Sequence, residues 1–305
     1  MKRRKFISSS ALSMAAMGTG LANVSSTSKM NVVEEKFKLA FAPHLGMFTN
    51  LAGKDPIDQL NFMADMGFSA FEDNGMKGRP VELQEQMAAT MAKRGLRMGV
   101  FVAHSISWQK ADLASGDLEL RAKFLEDIKS SIEVAKRVNA KWMTVVPGHL
   151  DLRQDMGYQT AHVIETLKQA SGLLEPHGIV MVLEPLNFRD HPGLFLTKSS
   201  QAFEICQSVG SPSCKILFDI YHQQIQEGNL IPNIEKSWDE IGYFQIGDNP
   251  GRKEPTTGEI NYKNVFKVIN ERGFDGILGM EHGNAQPGKE GEMALLAAYR
   301  SVDLP

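Results

Sequence analysis

The stretch Ile179–Asn187, IVMVLEPLN, decides the fold. Five unbroken apolar residues run straight into Glu184, with neither the alternation of a half-exposed strand nor the period of a surface helix. Such a segment reads as a short parallel strand covered on both faces. The same pattern recurs three times downstream, in KILFDIYH at Asp219, IGYFQIGDN at Gln245 and GILGMEHG at Glu281. These four oxygen-bearing residues stand 35, 26 and 36 residues apart. Each interval holds about one strand, one helix and two loops, the rhythm of a (β/α)8 barrel. Strand C-termini converge over one mouth in that fold, so three carboxylates and an amide there form a single site for a hard cation.

Upstream the rhythm continues. KLAFAP opens the barrel, and strand windows follow at Ser69–Glu72, Arg97–His104 and Trp142–Pro147, making eight with Ile179–Glu184, Lys215–Asp219, Tyr243–Gly247 and Ile277–Glu281. Helical patterns lie between them. DPIDQLNFMADMG starts on Asp-Pro, places Ile57, Leu60, Met63 and Ala64 on one face and closes at Gly67; DLELRAKFLEDIKSSIEVAKRVNA and TAHVIETLKQASGLLEPHG behave alike. Alternating strands and helices argue for βαβ units, and no linker divides the chain, so residues 36–305 read as one α/β domain, a (β/α)8 TIM barrel. Met87, Met91 and Met98 read as core filler, and Gly75, Gly78 and Pro80 mark a loop able to cover the mouth.

Residues 1–22 differ. Lys2, Arg3, Arg4, Lys5 and Phe6 precede ALSMAAMGTGLA, a run too short and glycine-broken to span a bilayer, and together they resemble a twin-arginine export signal. Residues 23–35 are rich in Ser, Thr, Asn and Glu and read as a flexible lead-in. The expectation is a periplasmic protein with no membrane span in its mature chain. Cleavage near Ala22 takes the formal charge from −3 to −7, which leaves no electrostatic footprint for nucleic acid. The two cysteines, Cys206 and Cys214, imply no disulfide framework and read as buried thiols, with a bridge between them left open.

A lone glutamate after a strand is ordinarily a solvated loop residue. Four oxygen ligands at successive strand ends are another matter, because a carboxylate abutting MVLE or GME is costly to bury unless paired or bound to metal. Glu184 and Glu281 are the strongest pair.

The segments LEPLNFRDHPG, FDIYHQQIQEGNL, GYFQIGDNPGRKEPTTGEINY and MEHG also resemble the hydroxypyruvate isomerase branch of the xylose-isomerase-like barrel superfamily. The match covers most of residues 37–290 and is densest from 179 to 283. It implies that Glu184, Asp219, Gln245 and Glu281 coordinate one divalent metal and that the two glutamates flank the substrate as acid and base. Related ketose 3-epimerases carry a histidine where this chain has Gln245; an amide oxygen is the harder ligand and favours Mg²⁺ or Mn²⁺. The resemblance makes His222 a substrate-oxygen contact and Arg252 the substrate-binding arginine. It places Asp190 and Glu259 in matched loops, as groups that orient the ligands or Arg252. His104, ending MGVFVAH, points to the mouth by position alone, and His149 is a weaker case of the same kind.

The implied chemistry converts an α-hydroxy ketone to an α-hydroxy aldehyde through a cis-enediolate, as from hydroxypyruvate to tartronate semialdehyde. The substrate class is a small keto acid or ketose, and relatives commonly form dimers or tetramers, so a homo-oligomer is expected. A ketose 3-epimerase and a non-catalytic periplasmic sugar-binding relative stay open as alternatives. An endonuclease IV type phosphodiesterase shares the barrel but needs a histidine-rich zinc cluster, and eight histidines with few at strand ends count against it.

Overall fold

The computed structural model describes residues 35–304. The export signal at 1–22 and all but the last residue of the lead-in at 23–35 lie outside the described residues. Eight strands are present among the described residues: β1 Phe41–Ala42, β2 Ala70–Phe71, β3 Arg97–Met98, β4 Trp142–Val145, β5 Val180–Leu183, β6 Cys214–Asp219, β7 Ile241–Gln245 and β8 Leu278–Gly279. Nine helices accompany them there: α1 Pro56–Asp65, α2 Val81–Arg94, α3 Leu118–Val138, α4 Met156–Leu174, α5 Ser199–Val209, α6 Ile220–Gln226, α7 Leu230–Ser237, α8 Tyr262–Glu271 and α9 Gly288–Val302.

All pairings between the eight strands are parallel. One ladder runs β1-β8-β7-β6-β5-β4 and a second joins β2 to β3. Single parallel bridges, His44 to Glu72 and Val102 to Thr144, connect the two ladders at both seams and complete the (β/α)8 barrel. The window Arg97–His104 holds only two ladder residues, because its backbone changes partner: Gly99 donates to Phe71 on β2, whereas Ala103 donates to Thr144 on β4.

Alternation along the strands divides the core in two. Ala42, Ala70, Val100, Trp142, Val182, Leu217, Tyr243 and Ile277, one from each strand or its continuation, form a compact buried cluster that fills the barrel interior. Their neighbours Phe41, Phe71, Met143, Met181, Phe218, Phe244 and Leu278 face outward and pack with helix residues such as Leu60, Ile128, Leu167 and Phe266. The helix starts obey their caps: Asp55 before α1 and Asp117 before α3 each accept two backbone N–H groups. Cys206 and Cys214 are buried free thiols. Among the described residues no helix is long and apolar enough to cross a membrane.

Candidate functional site

Four site residues stand two positions beyond an interior-filling residue: Glu72 after Ala70, Glu184 after Val182, Asp219 after Leu217 and Gln245 after Tyr243. The period of two therefore aims all four inward at the C-terminal mouth, one layer above the packed interior. Glu184, Asp219 and Gln245 are buried, and Glu281, just past β8, keeps a quarter of its side chain exposed.

Asp219 ends β6 and caps α6 at once. Its Oδ1 accepts the His222 N–H at 3.1 Å, so the chain passes from strand to helix without a loop and the imidazole turns back over the mouth. His222 Nδ1 faces the Asn187 side-chain nitrogen at 2.6 Å. That amide is fixed at its other end, since Asn187 Oδ1 accepts the backbone N–H groups of Arg189 and Asp190 and its Nδ2 also donates to Asp190 Oδ2 at 3.0 Å. Nδ1 is thus an acceptor, and in the neutral ring the hydrogen sits on Nε2. Burial holds the ring neutral, lowering its pKa to about 4. Nε2 lies 3.9 Å from Glu184 Oε1 and 3.7 Å from Asp219 Oδ2 and has no hydrogen-bond partner among the described residues. It is a donor aimed into the site. Although Glu184, Asp219 and His222 are close enough to share an ion, a protonated Nε2 has no lone pair to give one.

The β7–α8 loop brings in Arg252, whose backbone takes the left-handed value φ 51° and folds its side chain inward. One Nη2 donates to Asp219 Oδ2 at 2.9 Å and to Glu281 Oε2 at 2.7 Å, and the guanidinium rests on the Tyr221 ring. Its buried Nε has no partner among the described residues. Glu281 also accepts from Asn74 Nδ2 at 2.8 Å, so the loop that begins after β2 touches the mouth through its first asparagine. Burial pushes Glu281 up to about 7 against the pull of Arg252. Glu184 is raised well above the usual carboxylate range by burial and by Glu281 and Asp219.

Gln245 Nε2 donates to Glu72 Oε1 at 3.0 Å, leaving Gln245 Oε1 buried and unpartnered among the described residues. An orphaned amide oxygen beside three carboxylates is the donor set of a hard divalent cation, so these residues fit the metal that the sequence implies.

The other sequence candidates have different partners. Asp190 accepts from Asn187 and from Tyr221 OH at 2.9 Å, which places it behind His222. Glu259 reaches neither the ligands nor Arg252; it is exposed and ties the loop to itself through Asn249 and to α6 through Gln224. The buried acids in that loop are Asp248, which accepts the N–H groups of Asn249, Gly258 and Ile260, and Glu254, which accepts the Ala285 N–H. His104 is also engaged elsewhere, with Nδ1 on Ser105 O at 3.2 Å and Nε2 on Val146 N at 3.3 Å. Nε2 ties the segment after β3 to the end of β4 and Nδ1 holds the adjoining backbone, so neither nitrogen is left for the substrate contact expected of it. His149 likewise holds the Leu150 carbonyl. Glu72, Asn74 and Asn187 are site residues that the sequence pattern did not single out. Glu72 carried a signal, since it ends the apolar run SAF as Glu184 ends its own.

Residues 60–301 match the model of the xylose isomerase-like TIM barrel family. Hydroxypyruvate isomerase of Escherichia coli (strain K12) is 36% identical over 160 residues, which are 52% of this chain and 62% of that one. The 2-oxo-tetronate isomerase of Cupriavidus necator is 31% identical over 198 residues, 65% of this chain and 76% of that one. The match thus spans less than two thirds of the E. coli relative and about three quarters of the second. Among solved structures, an AP endonuclease, family 2, from Brucella melitensis superposes with a TM-score of 0.71 at 25% identity, covering 86% of this chain and 99% of that one. A 3-keto-D-glucoside 4-epimerase from E. coli gives 0.71 at 20% identity, covering 87% of this chain and all of that one.

Proposed function

Because the chain belongs to the xylose isomerase-like TIM barrel family, we propose that it is a metal-dependent isomerase that moves a carbonyl between neighbouring carbons of a small α-hydroxy keto acid. The observation that carries this reading is the geometry of the mouth, where the buried Glu184 and the part-exposed Glu281 meet Asp219 and Gln245 around a neutral His222 and Arg252, and where burial and repulsion among the carboxylates raise both glutamates above the usual carboxylate range. Two carboxyls facing one substrate can take a proton from one carbon and return one to the next.

Glu184, Asp219, Gln245 and Glu281 would hold the cation, which supplies positive charge to substrate oxygens as they gain electron density. The remaining steps belong to side chains. One glutamate removes the proton from the hydroxyl-bearing carbon and the other acid delivers a proton to the neighbouring carbon, while the hydroxyl proton passes to the former carbonyl oxygen, so that one C–H and one O–H proton have moved. His222 Nε2–H donates to a substrate oxygen, a role its tautomer suits. The free Nε of Arg252 offers a second donor, and the guanidinium charge suits a carboxylate, which favours a keto acid over an uncharged ketose. Trp108 stacks on His191 at 5.1 Å, and His191 sits 5.5 Å from His222, a row of rings between solvent and site. The histidine-poor donor set supports an isomerase rather than a phosphodiesterase.

Isomerisation in D₂O tests the reading. Deuterium at the carbon that receives the proton supports it. Product free of solvent deuterium, together with near-native turnover by Glu184→Gln or Glu281→Gln, overturns it. We also read residues 1–22 as directing export to the periplasm; Arg3→Lys with Arg4→Lys should retain the protein in the cytoplasm, and unchanged periplasmic recovery would count against that reading.

A further inference from the structure

We propose that Glu72 is a positioning residue that fixes which face of the Gln245 amide meets the metal, and so sets the affinity of the site. The inference rests on the metal reading above and adds a residue to it. Glu72 is 2% exposed and has two donors on its two oxygens: Tyr243 OH at 2.8 Å on Oε2 and Gln245 Nε2 at 3.0 Å on Oε1. Burial and Glu281 raise the Glu72 carboxyl, whereas the hydrogen bonds donated by Tyr243 and Gln245, and a cation bound beside it, favour the ionised form; ionised, it accepts and does not donate. Were the Gln245 amide turned over, its oxygen would face Glu72 Oε1 across that 3.0 Å in a place water does not reach, and its NH₂ would face Glu184, Asp219 and Glu281. The latch therefore leaves Gln245 Oε1 as the atom presented to a cation.

The surrounding backbone is shaped to admit this device. A Cβ at Gly279 would lie 1.8 Å from Glu72 Oε2, and one at Gly99 would lie 2.3 Å from Tyr243 OH. Neither glycine has the positive φ that favours glycine for its backbone. A side chain at either position would occupy the space that the Glu72–Tyr243 pair fills.

The test is Mn²⁺ affinity, by titration calorimetry on the folded protein, for Glu72→Gln, Tyr243→Phe, Gln245→Ala and the exchanged pair Glu72→Gln with Gln245→Glu. Glu72→Gln lets the amide sit either way up and should weaken Mn²⁺ binding by roughly 10- to 100-fold, the usual effect of losing a group that orients a ligand. The exchanged pair restores a fixed oxygen, a carboxylate at 245 held by an amide at 72, and should recover most of the loss. A residue that only supported the fold would lower thermal stability and leave Mn²⁺ affinity and its recovery unmoved. Affinity within twofold of wild type in Glu72→Gln, or no recovery in the exchanged pair, overturns the proposal. Should Glu72→Gln fail to fold, Tyr243→Phe decides in its place, since it frees one arm of Glu72; several-fold weaker binding supports the latch and unchanged binding overturns it. Gln245→Ala separates the two levels of inference. Undiminished affinity there removes Gln245 from the ligands altogether, whereas a loss there with none in Glu72→Gln removes only the latch.

Discussion

At the scale of single residues, the same imidazole serves two unlike ends. His222 keeps one nitrogen toward the site, whereas His104 has both nitrogens on backbone. A histidine at a strand end is visible in the sequence, but the distant partner that orients it, Val146 for His104 and Asn187 for His222, is not. His104 is held neutral mainly by burial, which lowers its pKa from 6.5 to about 4. The unfolded chain therefore takes the proton first as pH falls. Its contribution is fully present above about pH 6.5 and is lost toward pH 4, with a limiting slope of about 1.36 kcal/mol per pH unit. Thermal melts of wild type and His104→Gln should show a shallower loss of stability across that window in the variant, and parallel curves would refute the linkage. At the mouth, Glu184→Gln and Glu281→Gln should each fold normally and lose roughly 10²-fold or more in turnover, measured beside circular dichroism, because an amide keeps the shape and loses the proton.

Elements show why the four residues proposed as ligands converge and why their supports were hidden. Strand parity, written in the chain itself, aims Glu184, Asp219 and Gln245 at one point. Asn74, Asn187 and Asp248 sit on loops, where no period announces direction and only the folded path decides what a side chain meets. Asp219 belongs to two elements and should separate accordingly. Asp219→Asn retains an N-cap acceptor for α6 and should keep stability near wild type while weakening Mn²⁺ binding; Asp219→Ala loses both, at about 1 kcal/mol for the cap alone. Urea melts paired with metal titration distinguish them, and equal stability of the two variants would contradict the capping role. Glycines divide just as clearly. Gly172 lies exposed within α4, and a methyl group there would meet nothing within 4 Å, so Gly172→Ala should stabilise by about 0.5–1 kcal/mol in the same melts. Gly279→Ala must displace Glu72 and should destabilise severely.

For the whole molecule, eight parallel strands and the position of the mouth were legible from rhythm and apolar runs, whereas seams held by one bridge each were not, since pairing partners depend on curvature accumulated round the barrel. Ligands that bind only the folded state stabilise it by mass action, about 2.7 kcal/mol at a hundredfold excess over Kd. Saturating Mn²⁺ should therefore raise the melting temperature by several degrees, and chelator should reverse the shift and abolish activity; a melting point indifferent to Mn²⁺ would speak against a built cation site. The filled interior has a kinetic corollary. With Trp142, Leu217 and Tyr243 plugging the barrel beneath the ligands, the fold is a cup rather than a tube. On the proposed isomerase reading, whatever enters must leave by the same door, so a molecule of product still on the threshold bars the next molecule of substrate, and accumulated product should slow turnover as a competitor for that one entrance.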